Sequence, residues 1–169
     1  MTDRVRIDLN PSLSPMRISG RVLNELCAFA VETQPEECCG LLTGNGNARF
    51  RSAYRCRNDM TLLHQNDPAA YPRDGYEAFY MREVDYLEAQ KDAEARGEYV
   101  SAVFHSHVGA GAYLSQMDLE YAEHDLFPFP GAAQIVLAVF DRKVKAVGIF
   151  EREADSGVFV GRALEAGTV

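Results

Sequence analysis

Apolar positions fall into short runs of two periods, separated by stretches rich in turn formers. Val5, Ile7 and Leu9 alternate with charged residues, which predicts a short first strand before a loop at Pro11–Pro15. Ile18 leads into a helix with Ser19 at its N-cap, because Val22, Leu23, Leu26, Phe29 and Ala30 recur at helical spacing and stop near Gln34-Pro35. Cys39 to Thr43 reads as a buried strand. Gly44-Asn45-Gly46-Asn47 then signals a turn into a second strand around Ala48 to Arg55, so the pair predicts a hairpin.

Residues 56–76 carry Asn58, Asn66, Asp67-Pro68, Pro72 and Asp74-Gly75 and read as irregular, with His64 a surface loop histidine rather than a ligand. A helix is predicted over Met81 to Arg96, with Val84, Leu87 and Ala95 as its apolar stripe and Gly97 as its stop. An apolar, β-leaning run follows at Tyr99 to Phe104, and another helix from Ser115 through His124. Ala133 to Phe140 and Lys143 to Phe150 flank Asp141-Arg142 as a second hairpin, and a last strand is expected near Val158-Phe159-Val160. Strands mixed with three helices give a single α/β domain over residues 1–169, and the hairpins imply a mixed rather than purely parallel sheet.

Composition narrows the function classes. The chain has 169 residues, 47% hydrophobic and 25% charged, an ordinary globular balance. Its formal net charge of −8 argues against a phosphate-binding surface, and so against nucleic acid as a partner. No apolar run approaches a membrane span, and Met1-Thr2-Asp3-Arg4 lacks a signal-peptide core, so a soluble, cytoplasmic protein is expected. Cys27, Cys38, Cys39 and Cys56 form neither a zinc-ribbon spacing nor a disulfide framework. Cys38 and Cys39 read as small buried hydrophobes on opposite faces of a strand.

The candidate chemistry lies in residues 105–118. His105 and His107 close the Tyr99–Phe104 run, and residues two apart on a strand share a face, so both imidazoles can converge on one metal ion. Asp118 follows after a loop containing Gly109 and Gly111, in the first turn of the next helix. Two imidazoles and a carboxylate leave zinc a fourth position for water. Read singly, each feature has a plainer account: an H-x-H is often two histidines satisfied at a strand end, and Ser115 with Asp118 is close to a capping box. Together they form a ligand set, in which Asp118 can serve the helix terminus and the metal at once. Ser106, between the histidines, points to the other face and reads as structural, and Glu120, Glu123 and Asp125 as a solvated helix face.

His-Ser-His, seven residues, Ser115, two residues, Asp118 is similar to the signature of the JAMM (MPN-plus) metalloproteases. That family also uses an upstream glutamate in an E-x-x-G stretch, here Glu37-Cys38-Cys39-Gly40; matching its glycine to Gly40 selects Glu37 and not Glu36. The resemblance runs from the first helix to about Phe150. Val108 and Leu114 depart from it, standing where many members have proline. It implies a curved mixed sheet flanked by helices, of cytidine-deaminase-like architecture. It further implies one Zn²⁺ per chain on His105, His107 and Asp118, Glu37 as general base and Ser115 as oxyanion donor. The implied reaction is hydrolysis of the peptide or isopeptide bond after the C-terminal Gly-Gly of a ubiquitin-like, sulfur-carrier type protein. A zinc amidase acting on a small molecule or peptidoglycan peptide and a non-catalytic MPN-type scaffold are the alternatives. Oligomeric state is not legible, and a homodimer is compatible with the sequence.

Overall fold

The computed structural model describes residues 5–168, so the Met1–Arg4 start lies outside the described residues. Seven strands and four helices follow one another as β1 (Met16–Ile18), α1 (Gly20–Thr33), β2 (Cys39–Gly44), β3 (Ser52–Cys56), α2 (Met60–Asn66), α3 (Glu83–Ala95), β4 (Tyr99–Val108), α4 (Gln116–Glu123), β5 (Ala133–Phe140), β6 (Lys143–Arg152) and β7 (Phe159–Ala166). The strands form one curled sheet in the order β1-β7-β6-β5-β4-β2-β3. It is mixed, as the two hairpins require: β1 pairs parallel with β7 and β4 with β5, while every other pairing is antiparallel.

Period-two alternation sends each central strand's side chains to two different cores. On one face Leu42, Ala102, Phe104, Ile135, Leu137 and Ile149 meet Val22, Leu26 and Ala30 of α1. On the other, Cys39, Leu41 and Val103 meet Phe79, Met81, Ala89, Phe127 and Phe129. Cys38 and Cys39 fall on opposite faces, each buried and, like Cys27 and Cys56, a free thiol. His105 and His107 continue the Val103 face, so they emerge where the second core ends.

Local chemistry explains the element ends. Ser19 caps α1 by accepting the Val22 amide at 3.3 Å. Asp141 and Arg142 both have positive φ, 51° and 61°, the turn that suits the twist of a two-residue hairpin. Gly40 is forced by packing, since a Cβ there would lie 2.1 Å from the Tyr54 carbonyl oxygen and 2.5 Å from the Phe104 ring.

Four expectations are corrected. Ile7 and Leu9 make only isolated bridges, to Leu114 and Gly161, and the first true strand is β1, too short at three residues to show a period. A helical turn pair, α2, interrupts the stretch read as irregular, and His64 sits on it with its Nδ1–H donating to the Tyr71 carbonyl at 2.6 Å. In α3 the stripe is inverted: Val84 and Leu87 are 50% and 49% exposed, while Ala89 and Ala93 are buried. β7 runs to Ala166, well past Val160. Among the described residues no helix is long and apolar enough to cross a membrane.

Candidate metal centre

Three pieces of backbone converge at the end of the second core. β4 lies between β2 and β5, with His105 opposite Cys39 on one side and Val136 on the other, so both neighbours exclude water from its side chains. His105 is fully buried and His107 is 6% exposed. Ser106 points away, as its alternation demands, and its Oγ accepts the Cys38 amide at 2.7 Å. That bond, with Ser106 N–H donating to the Cys38 carbonyl at 3.1 Å, sets the chain just before β2 beside the histidines. Glu37 is thereby carried in, its N–H held by the Gly75 carbonyl at 2.7 Å and its carbonyl by Asn58 Nδ2 at 3.1 Å. Glu36, by contrast, accepts from Thr61 Oγ1 at 2.8 Å, away from the imidazoles.

The third piece is the start of α4. Ser115 Oγ accepts the Asp118 amide at 3.1 Å and Asp118 Oδ2 accepts the Ser115 amide at 3.0 Å, a reciprocal capping box. The same Oδ2 lies 3.2 Å from His105 Nε2 and 3.1 Å from His107 Nε2, and the two Nε2 atoms are 3.2 Å apart. Three lone-pair atoms thus form a nearly equilateral triangle.

The His107 tautomer suits that arrangement. His107 Nδ1 lies 2.9 Å from the Gly111 carbonyl, which can only accept, so the proton sits on Nδ1 and Nε2 offers its lone pair. Gly109 enables the return of the loop to that carbonyl by adopting φ +75°. His105 is oriented by Phe79, whose ring stacks on it with centroids 4.3 Å apart. Its Nδ1 is buried with no hydrogen-bond partner, as is Glu37 Oε1.

The donor set fits a divalent cation. A tetrahedron with zinc–ligand bonds of about 2.0–2.1 Å has edges of about 3.3–3.4 Å, close to the sides of the Nε2–Nε2–Oδ2 triangle. Glu37 offers a second way to complete a trio with the two histidines, its ligand atom and theirs lying within 4.8 Å of one another. Asp118 and Glu37 are thus two carboxylates that could join the histidines around a cation.

Electrostatics separates the carboxylates. Burial pushes the His105 pKa down, toward the neutral form that ligates metals, against the pull of Asp118. Burial alone would raise Asp118, but His105 and His107, whenever one of them takes up a proton on the shared side, hold it well below the usual carboxylate range. Glu37 moves the other way: burial pushes it well up, the Asp118 and Glu77 charges add to this, and Arg73 opposes it. Burial also pushes the Cys38 thiol up to about 12, which removes it as a thiolate nucleophile.

A cavity of about 250 Å³ opens over this centre, lined by Glu37, His107 and Ser115 together with Arg73, Tyr76, Glu77, Val108, Ala110 and Tyr113. A larger one, about 730 Å³, backs onto Glu37 and Cys38 but touches neither histidine. The smaller cavity shares Arg73 and Ser115 with one of about 230 Å³, which shares Met117 and Glu120 with an aromatic hollow of about 540 Å³ beyond α4. Three hollows therefore adjoin one another around the start of α4.

All five residues singled out in the sequence meet here: His105, His107 and Asp118 in the triangle, Glu37 beside it and Ser115 at its rim. Phe79, Arg73, Tyr113 and the Gly111 carbonyl were not anticipated. Phe79 and Arg73 come from the segment between β3 and α3, where no local periodicity marks a residue that matters only through tertiary contact.

A family model described as prokaryotic homologs of the JAB domain matches residues 19–152, and the chain belongs to that family. This agrees with the JAMM/MPN resemblance of the motif. No curated protein sequence matches the chain. Among solved structures, one of a protein from Desulfitobacterium hafniense superposes with a TM-score of 0.61 at 21% identity, covering 89% of this chain and 92% of the other. Another, from Salinibacter ruber, gives a TM-score of 0.60 at 24% identity, with 90% and 92% covered. Both likenesses concern the fold.

Proposed function

We propose that this member of the prokaryotic JAB family is a cytoplasmic zinc-dependent hydrolase. Its reaction is cleavage of the peptide or isopeptide bond after the C-terminal Gly-Gly of a ubiquitin-like, sulfur-carrier type protein. The observation that carries the reading is the Nε2–Nε2–Oδ2 triangle with 3.1–3.2 Å sides, lying under a cavity that Glu37 and Ser115 also line. His105, His107 and Asp118 hold one zinc ion per chain. Zinc held there would acidify a bound water to near neutral pH and act as a Lewis acid toward the substrate carbonyl.

The chain's own residues do the rest. Glu37 takes the proton of the attacking water on its unpartnered Oε1 and returns it to the leaving amine nitrogen. Its raised pKa suits a group that must hold that proton between the two transfers. Ser115 Oγ already accepts the Asp118 amide, so its O–H is left to donate to the carbonyl oxygen as charge builds there. Asp118, anchored by the Ser115 amide, fixes its carboxylate and the start of α4 in one piece. An extended Gly-Gly tail suits the small cavity over the centre because it has no side chains to collide with the walls and can be held through its backbone.

Metal analysis of purified protein, paired with cleavage of a carrier fusion extended beyond Gly-Gly, tests the reading. One zinc per chain and chelator-sensitive release at Gly-Gly are expected, with no cleavage when the last glycine is made bulky. Equal cleavage of that variant and of casein would indicate a general metalloprotease. Bound zinc without cleavage of any of the three would leave the small-molecule amidase.

A further inference from the structure

Arg73 is the one lysine or arginine lining either the 250 Å³ cavity over the metal centre or the 230 Å³ cavity beside it. It shares that saddle with Ser115. Most other described arginines sit against carboxylates, among them Arg49 on Glu151, Arg55 on Glu32, Arg57 on Asp85 and Arg82 on Asp59 at 2.6–2.8 Å. Half-buried Arg73 forms neither an ion pair nor a side-chain hydrogen bond among the described residues. A guanidinium without a partner of its own keeps its planar fork free for a carboxylate, which it matches through two parallel hydrogen bonds.

The loop that carries it is fixed on both sides. Two residues before, the Tyr71 carbonyl is held by His64; two residues after, Gly75 donates its N–H to Thr61 Oγ1 at 2.9 Å and accepts the Glu37 amide at 2.7 Å. Gly75 is buried there, with no room for a side chain: a Cβ would come within 2.8 Å of that hydroxyl oxygen. The bonds to Gly75 tie the position of Arg73 to that of Glu37, the group assigned to protonate the leaving amine. Such anchoring pre-organises a single cation in the cavity that Glu37 also lines, in a chain whose net charge of −8 repels anions elsewhere.

We infer that Arg73 is a specificity-determining residue that binds a substrate carboxylate on the leaving-group side, within one residue of the scissile amide. The inference rests on the hydrolase reading for the position of that amide. The carboxylate has two sources: the α-carboxylate of a leaving residue that ends its chain, or the side chain of an acidic residue at that place. Glu77 and Glu120, exposed at the rims, discourage anions that miss Arg73.

Three probes separate the possibilities: N-acetyl-Gly-Gly-Ala with a free carboxylate, its C-terminal amide, and N-acetyl-Gly-Gly-Asp amide. Their affinities are measured by NMR titration of zinc-loaded Glu37→Gln protein, so that binding is read without turnover. At least one carboxylate probe is expected to bind about tenfold more tightly than the neutral amide, and which one does so identifies the source. Arg73→Gln in the same background should bring that probe down to the affinity of the amide, and Arg73→Lys should keep part of the preference. Equal affinity for all three probes, or a preference that survives Arg73→Gln, overturns the inference. Thermal melts of Arg73→Gln should match the parent, since only backbone groups anchor the loop. A preference that depends on Arg73, in a protein that cleaves nothing, would sink the hydrolase reading and leave Arg73 as an anion-binding residue.

Discussion

Glu37 is expensive to keep where it is: a carboxyl group nearly out of contact with water, one oxygen unpartnered, facing the Asp118 charge. A residue chosen for stability alone would not be acidic there. Glu37→Gln preserves its shape while removing the proton acceptor, so the variant should keep its zinc and lose hydrolysis by about 10²-fold or more. Glu36→Gln, whose carboxylate serves Thr61, is the matched control and should stay near wild type. The same group makes a prediction about pH. Because its folded pKa is raised, the folded metal-free protein holds this proton more tightly than the unfolded chain does. Between the ordinary carboxylate value and the raised one, the Glu37 contribution to stability therefore falls as pH rises. Glutamine does not titrate. The stability gained by metal-free Glu37→Gln over wild type should be small near pH 4 and grow toward pH 8 in urea melts at a series of pH values; a constant difference would contradict the raised pKa.

At the scale of elements, the start of α4 does two jobs with one pair of side chains, and substitution can separate them. Ser115→Ala should cost about 1 kcal/mol of stability through the lost cap and about 10²–10³ in turnover through the lost donor. Asp118→Asn retains an amide oxygen able to accept from Ser115, so α4 should still begin where it does, while the anionic ligand is gone. Normal helical circular dichroism with zinc far below one per chain is the expected result; zinc retained at one per chain would remove Asp118 from the ligand set. These local devices are also what the sequence made legible. Two histidines two apart on a strand, and a Ser-x-x-Asp helix start, declare themselves within a few residues. Glu37 did not: it was recognisable through its spacing to Gly40 in the family motif, because its burial arises from the register of β2 against β4. Phe79 and Arg73 reach the site by tertiary folding of a segment with no period of its own. The inverted face of α3 has a packing cause, since Ala89 and Ala93 allow close approach to the sheet while Val84 and Leu87 stay outside. A pattern reading weights apolar size and so chose the wrong pair.

For the molecule as a whole, the question is whether metal builds the fold or only occupies it. The triangle lies at the edge of an extensive core: buried clusters cover both faces of a seven-stranded sheet, and Phe79 packs against His105. This differs from small zinc domains, whose few apolar residues leave the metal to supply the folding energy. The metal-free chain should therefore remain folded and bind zinc as a ligand of the native state, gaining RT ln(1 + [Zn]/Kd), about 2.7 kcal/mol at a hundredfold excess over Kd. Chelation should abolish hydrolysis and lower Tm by an amount that depends on free zinc, without loss of secondary structure at 25 °C. His107→Ala should melt close to the chelated wild type and show no zinc-dependent rise, because it removes one corner of the triangle from a position near the rim. If the chelated protein instead unfolds at room temperature, the sheet would depend on the metal and the site would be structural as well as chemical. If zinc raises the Tm of His107→Ala as much as that of wild type, the cation binds elsewhere and the His105–His107–Asp118 centre is wrong.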